Sequence, residues 1–135
     1  MALLLDSGIL YASYDADDQW HGRARDLLDR EKELLIVPAP VIAEVDHFIQ
    51  KRLGRTAQAV FYRSLASGHY FIADLPKEKY RRVEELNRQF SKLSLGFVDA
   101  AVVAISEALG IPRIATTDRR HFTPLAAALG LELLP

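Results

Sequence analysis

The stretch LGFVDAAVVAISEALGIPRIATTDRRHF, Leu95–Phe122, decides the fold. It reads as a helix, a stop, a strand and an acid. From Phe97 to Ile105, Asp99 is the one charge among apolar or small residues, the mark of a helix buried on most sides. Gly110 is placed to close that helix as a left-handed cap. Pro112–Thr117 follows as a short strand, and Asp118 comes directly after it. An apolar helix feeding an apolar strand is half of a βαβ unit, so the stretch predicts a parallel sheet. It also raises a question. A carboxylate buried without a partner is costly and would normally neutralise itself, so an acid at Asp99 needs a reason.

The pattern repeats outward from this stretch. Ala2–Leu5 reads as a buried strand, and Leu34–Ala39, Tyr70–Leu75 and Leu131–Leu134 as further strands. Ser7–Tyr14, His21–Lys32, Arg55–Ala66 and Phe122–Gly130 read as helices. Another is expected to open with Pro40 at its first position and to close at Gly54. A long charged helix is expected from Pro76 to about Lys92. Strands alternating with helices give an α/β fold, a three-layer α/β/α sandwich around a parallel sheet of about five strands. A sheet covered on both faces explains strands that read as continuous apolar runs. Residues 1–135 are expected to form a single domain, as the length suggests.

Composition narrows the function. The formal charge is −1, so any contact with a polyanion must come from local basic groups and not from a global field. There is no cysteine, which excludes disulfides, thiolate zinc sites and a cysteine nucleophile. The N-terminal residues lack the basic segment of a secretory signal, and Asp6 interrupts their apolar run. No apolar run approaches the length of a membrane span. These features read as a soluble cytoplasmic protein.

In open parallel sheets, ligands bind at the carboxyl ends of the strands. Four acids fall there or in the first turns of the helices that follow: Asp6, Glu44, Asp99 and Asp118. Each has an ordinary reading alone, as a helix cap or a complement to a helix dipole. Together they are harder to explain, because four gathered carboxylates repel one another unless a cation neutralises them. An all-oxygen set without cysteine suits a hard divalent ion, Mg²⁺ or Mn²⁺. Such an ion activates water and holds a phosphodiester, so the pattern points to metal-dependent phosphoryl transfer or nuclease chemistry.

At these residues the sequence resembles the PIN-domain ribonucleases, and within them the VapC toxins of bacterial and archaeal toxin–antitoxin pairs. The matching pieces are LLLDSGILYA, VIAEVDHFI and the Leu95–Phe122 stretch, followed by the closing helix and strand. The resemblance implies a single PIN domain over residues 1–135. It implies a Mg²⁺ or Mn²⁺ site formed by Asp6, Glu44, Asp99 and Asp118, with Asp118 the loosest match. It implies hydrolysis of RNA by metal-activated water, leaving a 5′-phosphate and a 3′-hydroxyl. Thr116 matches a small polar residue that helps orient the site, and Ser7 stands where the family more often has threonine. A cognate antitoxin and a homodimer are the partners it implies. The competing reading is an inactive PIN-like module that binds RNA or protein, and the presence of all four acids argues against it.

Other features carry less. Arg119 and Arg120 read either as phosphate contacts or as solvated loop charges. His47 lies three residues from Glu44 and reads as a surface or capping histidine. His121 is placed for the rim of the cleft. Trp20 is a candidate for a partner contact. Lys77–Arg82 reads as a salt-bridged helix face. Gly8 stands where a dehalogenase-type phosphatase needs a second aspartate, and no Gly-Lys-Ser/Thr ending of a phosphate-binding loop is present.

Overall fold

The structure, a computed structural model, describes residues 1–135. Five short strands run in chain order: β1 Leu3–Leu5, β2 Leu35–Pro38, β3 Phe71–Ala73, β4 Arg113–Ala115 and β5 Glu132–Leu134. They pair in the order β3-β2-β1-β4-β5, all parallel. Leu4 of β1 registers with Ile36 on one side and Ile114 on the other. Strands β1 and β2 are buried throughout, as their unbroken apolar runs predict.

Seven helices connect them: α1 Ser7–Tyr14, α2 His21–Arg30, α3 Ala39–Arg52, α4 Arg55–Ala66, α5 Tyr80–Gln89, α6 Gly96–Leu109 and α7 Arg119–Leu129. From β1 the chain steps outward through β2 to β3, then crosses back to β4 and steps to β5 on the other side. Right-handed crossovers therefore put α1–α4 on one face and α5–α7 on the other. The direction of travel reverses between β1 and β4. That reversal leaves a crevice above the carboxyl ends of these two strands.

Helix α6 is the central post of one layer. Ala100–Ser106 is buried without interruption, and each buried valine or isoleucine contributes roughly 1.5–3 kcal/mol. Gly110 ends the helix at φ 69°, a conformation that a side chain disfavours. Gly54 has φ 90° and donates its N–H to the Ile49 carbonyl at 3.0 Å, closing α3 as expected.

Two expectations need correction. The charged helix from Pro76 to Lys92 is three pieces: a 3₁₀ turn at Lys77–Lys79, then α5, then a second turn at Ser91–Leu93. The break is fixed by Asn87, whose amide oxygen accepts from Gly96 N–H at 3.0 Å and whose amide nitrogen donates to Val83 and Gly96 carbonyls. The side chain thus ties the end of α5 to the start of α6. The last helix begins at Arg119, ahead of the expected Phe122. Asp118 caps it by accepting from His121 N–H at 3.1 Å, which starts the helix among polar residues that show no apolar period.

Candidate functional site

Asp6 follows β1 and is 4 % exposed. It stands at the N-cap position of α1 but makes no side-chain cap bond. Its Oδ2 instead accepts from Thr116 Oγ1 at 2.8 Å, across the reversal point from β1 to β4. The same Thr116 oxygen accepts from Asp118 N–H at 3.0 Å. One buried hydroxyl therefore fixes both strand-end acids. Asp6 Oδ1 and Ser7 Oγ are buried with no hydrogen-bond partner, the state expected of oxygens set aside for a ligand or water.

Glu44 arrives from α3. The core side of this helix is Val41, Val45 and Ile49, spaced by four, so Glu44, Phe48 and Arg52 form the adjoining stripe along the same axis. Asp99 arrives from the first turn of α6. Asp6, Ser7, Glu44, Asp99, Thr117 and Asp118 all line one cavity of about 410 Å³. Gly8, Tyr11, Asp18, Gln19, Trp20, Phe48 and Arg52 complete its walls. The fold thus gathers the four acids that the sequence leaves far apart. Gly8 makes the close approach possible: a Cβ there would lie 2.1 Å from Thr117 Oγ1.

The acids repel their own ionisation. Burial, reinforced by the charges of Asp99 and Glu44, pushes the Asp6 carboxyl up from the ordinary 3.8 to about 7, against the opposing pull of the Thr116 bond. Burial and then the charge of Asp118 push Asp99 up to about 6. His121 works the other way on Asp99. Its Nδ1 lies 2.8 Å from Asp99 Oδ2 and 2.8 Å from Asp118 Oδ2. With a carboxylate on either side, Nδ1 is the nitrogen that carries the proton.

His121 is therefore more than a rim residue. Asp99, Asp118 and His121 bring donor atoms within 4.8 Å of one another. The signal for it is the three-residue spacing from Asp118, which a capped first turn folds back over the cap. Arg119 and Arg120 are exposed and do not border the cavity. They take the first two positions of α7, and the Arg119 guanidinium donates to the Pro135 carbonyl. His47 is exposed and also lies outside the cleft. Trp20 does border it, with the Arg23 guanidinium stacked 3.7 Å from its ring centroid.

Asp118 has two separable roles, helix cap and cleft carboxylate. Asp118→Asn keeps the cap acceptor and is expected to leave thermal stability nearly unchanged. Asp118→Ala removes it and is expected to cost about 1 kcal/mol. Thermal unfolding of the two variants checks this; equal losses would show that the charge, and not the cap, holds the start of α7.

A parallel α/β sandwich with a carboxylate-lined crevice at its reversal point defines the class: an acidic-cleft α/β fold. The PIN domain family profile matches residues 3–127, and the chain belongs to that family. It is 28 % identical over 123 residues to Ribonuclease VapC26 of Mycobacterium tuberculosis, covering 91 % of each chain. Its fold superimposes on that of M. tuberculosis VapC20, described as a Sarcin-Ricin loop cleaving toxin, with a TM-score of 0.84 at 20 % identity over 98 % of this chain and 99 % of that one. VapBC2 from Rickettsia felis, solved with a DNA fragment from its promoter, matches with a TM-score of 0.73 at 16 % identity, over 98 % and 97 % of the two chains. FitAcB from Neisseria gonorrhoeae matches with a TM-score of 0.71 at 17 % identity, over 98 % and 96 %. No helix of this chain is long and apolar enough to cross a membrane.

Proposed function

We propose that the chain is a Mg²⁺- or Mn²⁺-dependent endoribonuclease of the VapC type, the toxin of a toxin–antitoxin pair. The observation that carries this reading is the convergence of Asp6, Glu44, Asp99 and Asp118 on one cavity, with the Asp6 carboxyl driven up to about 7 by burial and its neighbours' charges. Such a set is poorly placed to stay ionised alone and well suited to a hard cation. The unpartnered Asp6 Oδ1 fits that use. A divalent ion there would supply a water of lowered pKa and neutralise charge on the scissile phosphate.

The residues of the chain do the holding. Asp6 and Asp99 are the deepest ligands, Thr116 fixes the first by its 2.8 Å bond, and His121 fixes the second at 2.8 Å. Glu44 closes the site from α3, and Asp118 from the β4 end. Ser7 Oγ lies beside Asp6 as a further oxygen. Cleavage leaves a 5′-phosphate and a 3′-hydroxyl. The relatives named VapC and the VapBC2 assembly support an antitoxin partner, and a homodimer in the cytoplasm belongs to the same reading.

The test uses metal-stripped protein and a pool of RNA hairpins with randomised loops. No cleavage is expected in chelator, and cleavage is expected on adding Mn²⁺ or Mg²⁺. Cutting that persists in chelator would overturn the metal site. RNA that is bound but never cut under any metal would favour the inactive module.

A further inference from the structure

The cavity holds five carboxylates, Asp6, Asp18, Glu44, Asp99 and Asp118, and a single lysine or arginine, Arg52. For a polyanionic strand this is an unfavourable wall, even with ions at the four gathered acids. Arg52 is the one fixed positive group of the chain that borders it. Its guanidinium lies over two aromatic faces, 4.8 Å from the Phe48 centroid and 5.4 Å from that of Tyr11. The Tyr11 ring is itself fixed, because its hydroxyl donates to Asp15 at 2.6 Å. The guanidinium also lies by the Tyr11 hydroxyl and within reach of the Asp15 charge, and its remaining N–H groups present a planar edge that matches two phosphate oxygens. The residue is exposed and sits in the last turn of α3, where the helix dipole favours a cation.

Its distance from the acids sets its role. Glu44, Phe48 and Arg52 lie on one stripe of α3, and eight residues span roughly 12 Å of helix. A phosphate on Arg52 is therefore not the one being cut. Resting on the ribonuclease reading above, we infer that Arg52, seated on Tyr11 and Phe48, is a substrate-positioning residue that grips a phosphate beside the scissile one in a single-stranded RNA segment. Its grip is equal before and during the reaction, so it acts on binding and not on the chemical step.

The experiment takes the best-cut hairpin from the pool and resynthesises it with a neutral methylphosphonate at each linkage near the cut in turn. Affinity is measured by fluorescence anisotropy in Ca²⁺, and KM and kcat in Mn²⁺. Arg52→Ala is expected to weaken binding about tenfold, as loss of a charge-assisted contact does, and to raise KM with little change in kcat. Arg52→Lys, which keeps the charge, is expected to recover part of the loss. One methylphosphonate position should cost the parent protein a similar factor and cost Arg52→Ala nothing, the signature of a direct pair. Equal penalties at every position in both proteins, or an unchanged KM, would overturn the role of Arg52 while leaving the ribonuclease reading intact. Failure of the parent to bind or cut any RNA would overturn both.

Discussion

Asp99→Asn is expected to lower metal-dependent RNA cleavage by roughly a thousandfold, the scale on which removing one fixed electrostatic partner of a reacting group is felt. The fold is expected to survive. Asparagine has nearly the volume of aspartate, and its amide oxygen can still accept from His121 Nδ1, now at 2.8 Å from Asp99 Oδ2. The surrounding α6 positions, Ala100–Ser106, are buried and untouched. Removing the charge also relieves the cost of burial and the repulsion from Asp118, which together hold the Asp99 carboxyl up at about 6. Activity and stability should therefore move separately. The check is kcat/KM on the selected hairpin beside a thermal unfolding curve at pH 8. Full activity with an unchanged curve would remove Asp99 from the site. A collapsed curve would make it a structural acid instead.

This answers the question raised by an acid in an apolar helix. Asp99 enters the cleft at the N-terminal turn of α6, where the helix dipole lessens the cost of its charge. It is partly open to the cavity, with 17 % of its side chain exposed. The buried run behind it makes the post rigid. Burial and then neighbouring acids still raise its carboxyl, so a dipole alone does not settle the charge. A cation does so under the proposed function.

The strands and their parallel arrangement were legible because a sheet covered on both faces demands continuous apolar runs, and Leu3–Leu5 and Leu35–Pro38 are such runs. The acids were legible because Asp6 and Asp99 interrupt apolar surroundings. Boundaries set by side-chain bonds were not. Asn87 breaks the long charged helix through bonds to Gly96, and no period in the sequence announces a contact across nine residues. The start of α7 was hidden in the same way, by one cap bond from Asp118. Arg52 was passed over because an arginine in the last turn of a helix is ordinary. Only its spacing of four from Phe48 and eight from Glu44 placed it on the cleft side, and that spacing matters only once Glu44 is known to face the cavity. Arg119 and Arg120 show the converse. They adjoin Asp118 in sequence, yet the capped helix carries them away from the cleft.

Asp6→Asn is expected to change its effect on stability with pH, and by a large amount. The folded-state carboxyl titrates at about 7 against an ordinary 3.8. Between these values the folded protein holds a proton that the unfolded chain has released. Stability from Asp6 is therefore fully present below about pH 4 and is lost as pH rises toward 7. Each pH unit in this window costs about 1.4 kcal/mol, so from pH 5 to pH 8 the metal-free parent loses roughly 2–3 kcal/mol that the variant does not. Below about pH 4 the two are nearly alike. A protonated Asp6 and an asparagine are both neutral, and both can accept the Thr116 bond. At pH 8 the variant is expected to melt higher, by on the order of 10 °C for a chain of this size. Saturating Mn²⁺ should close most of that gap, because an ion bound only by the folded parent adds about 2.7 kcal/mol at a hundred times its Kd. A difference between the proteins that does not move with pH would show that Asp6 is already ionised without metal. A gap that Mn²⁺ leaves unchanged would show that Asp6 does not hold the ion.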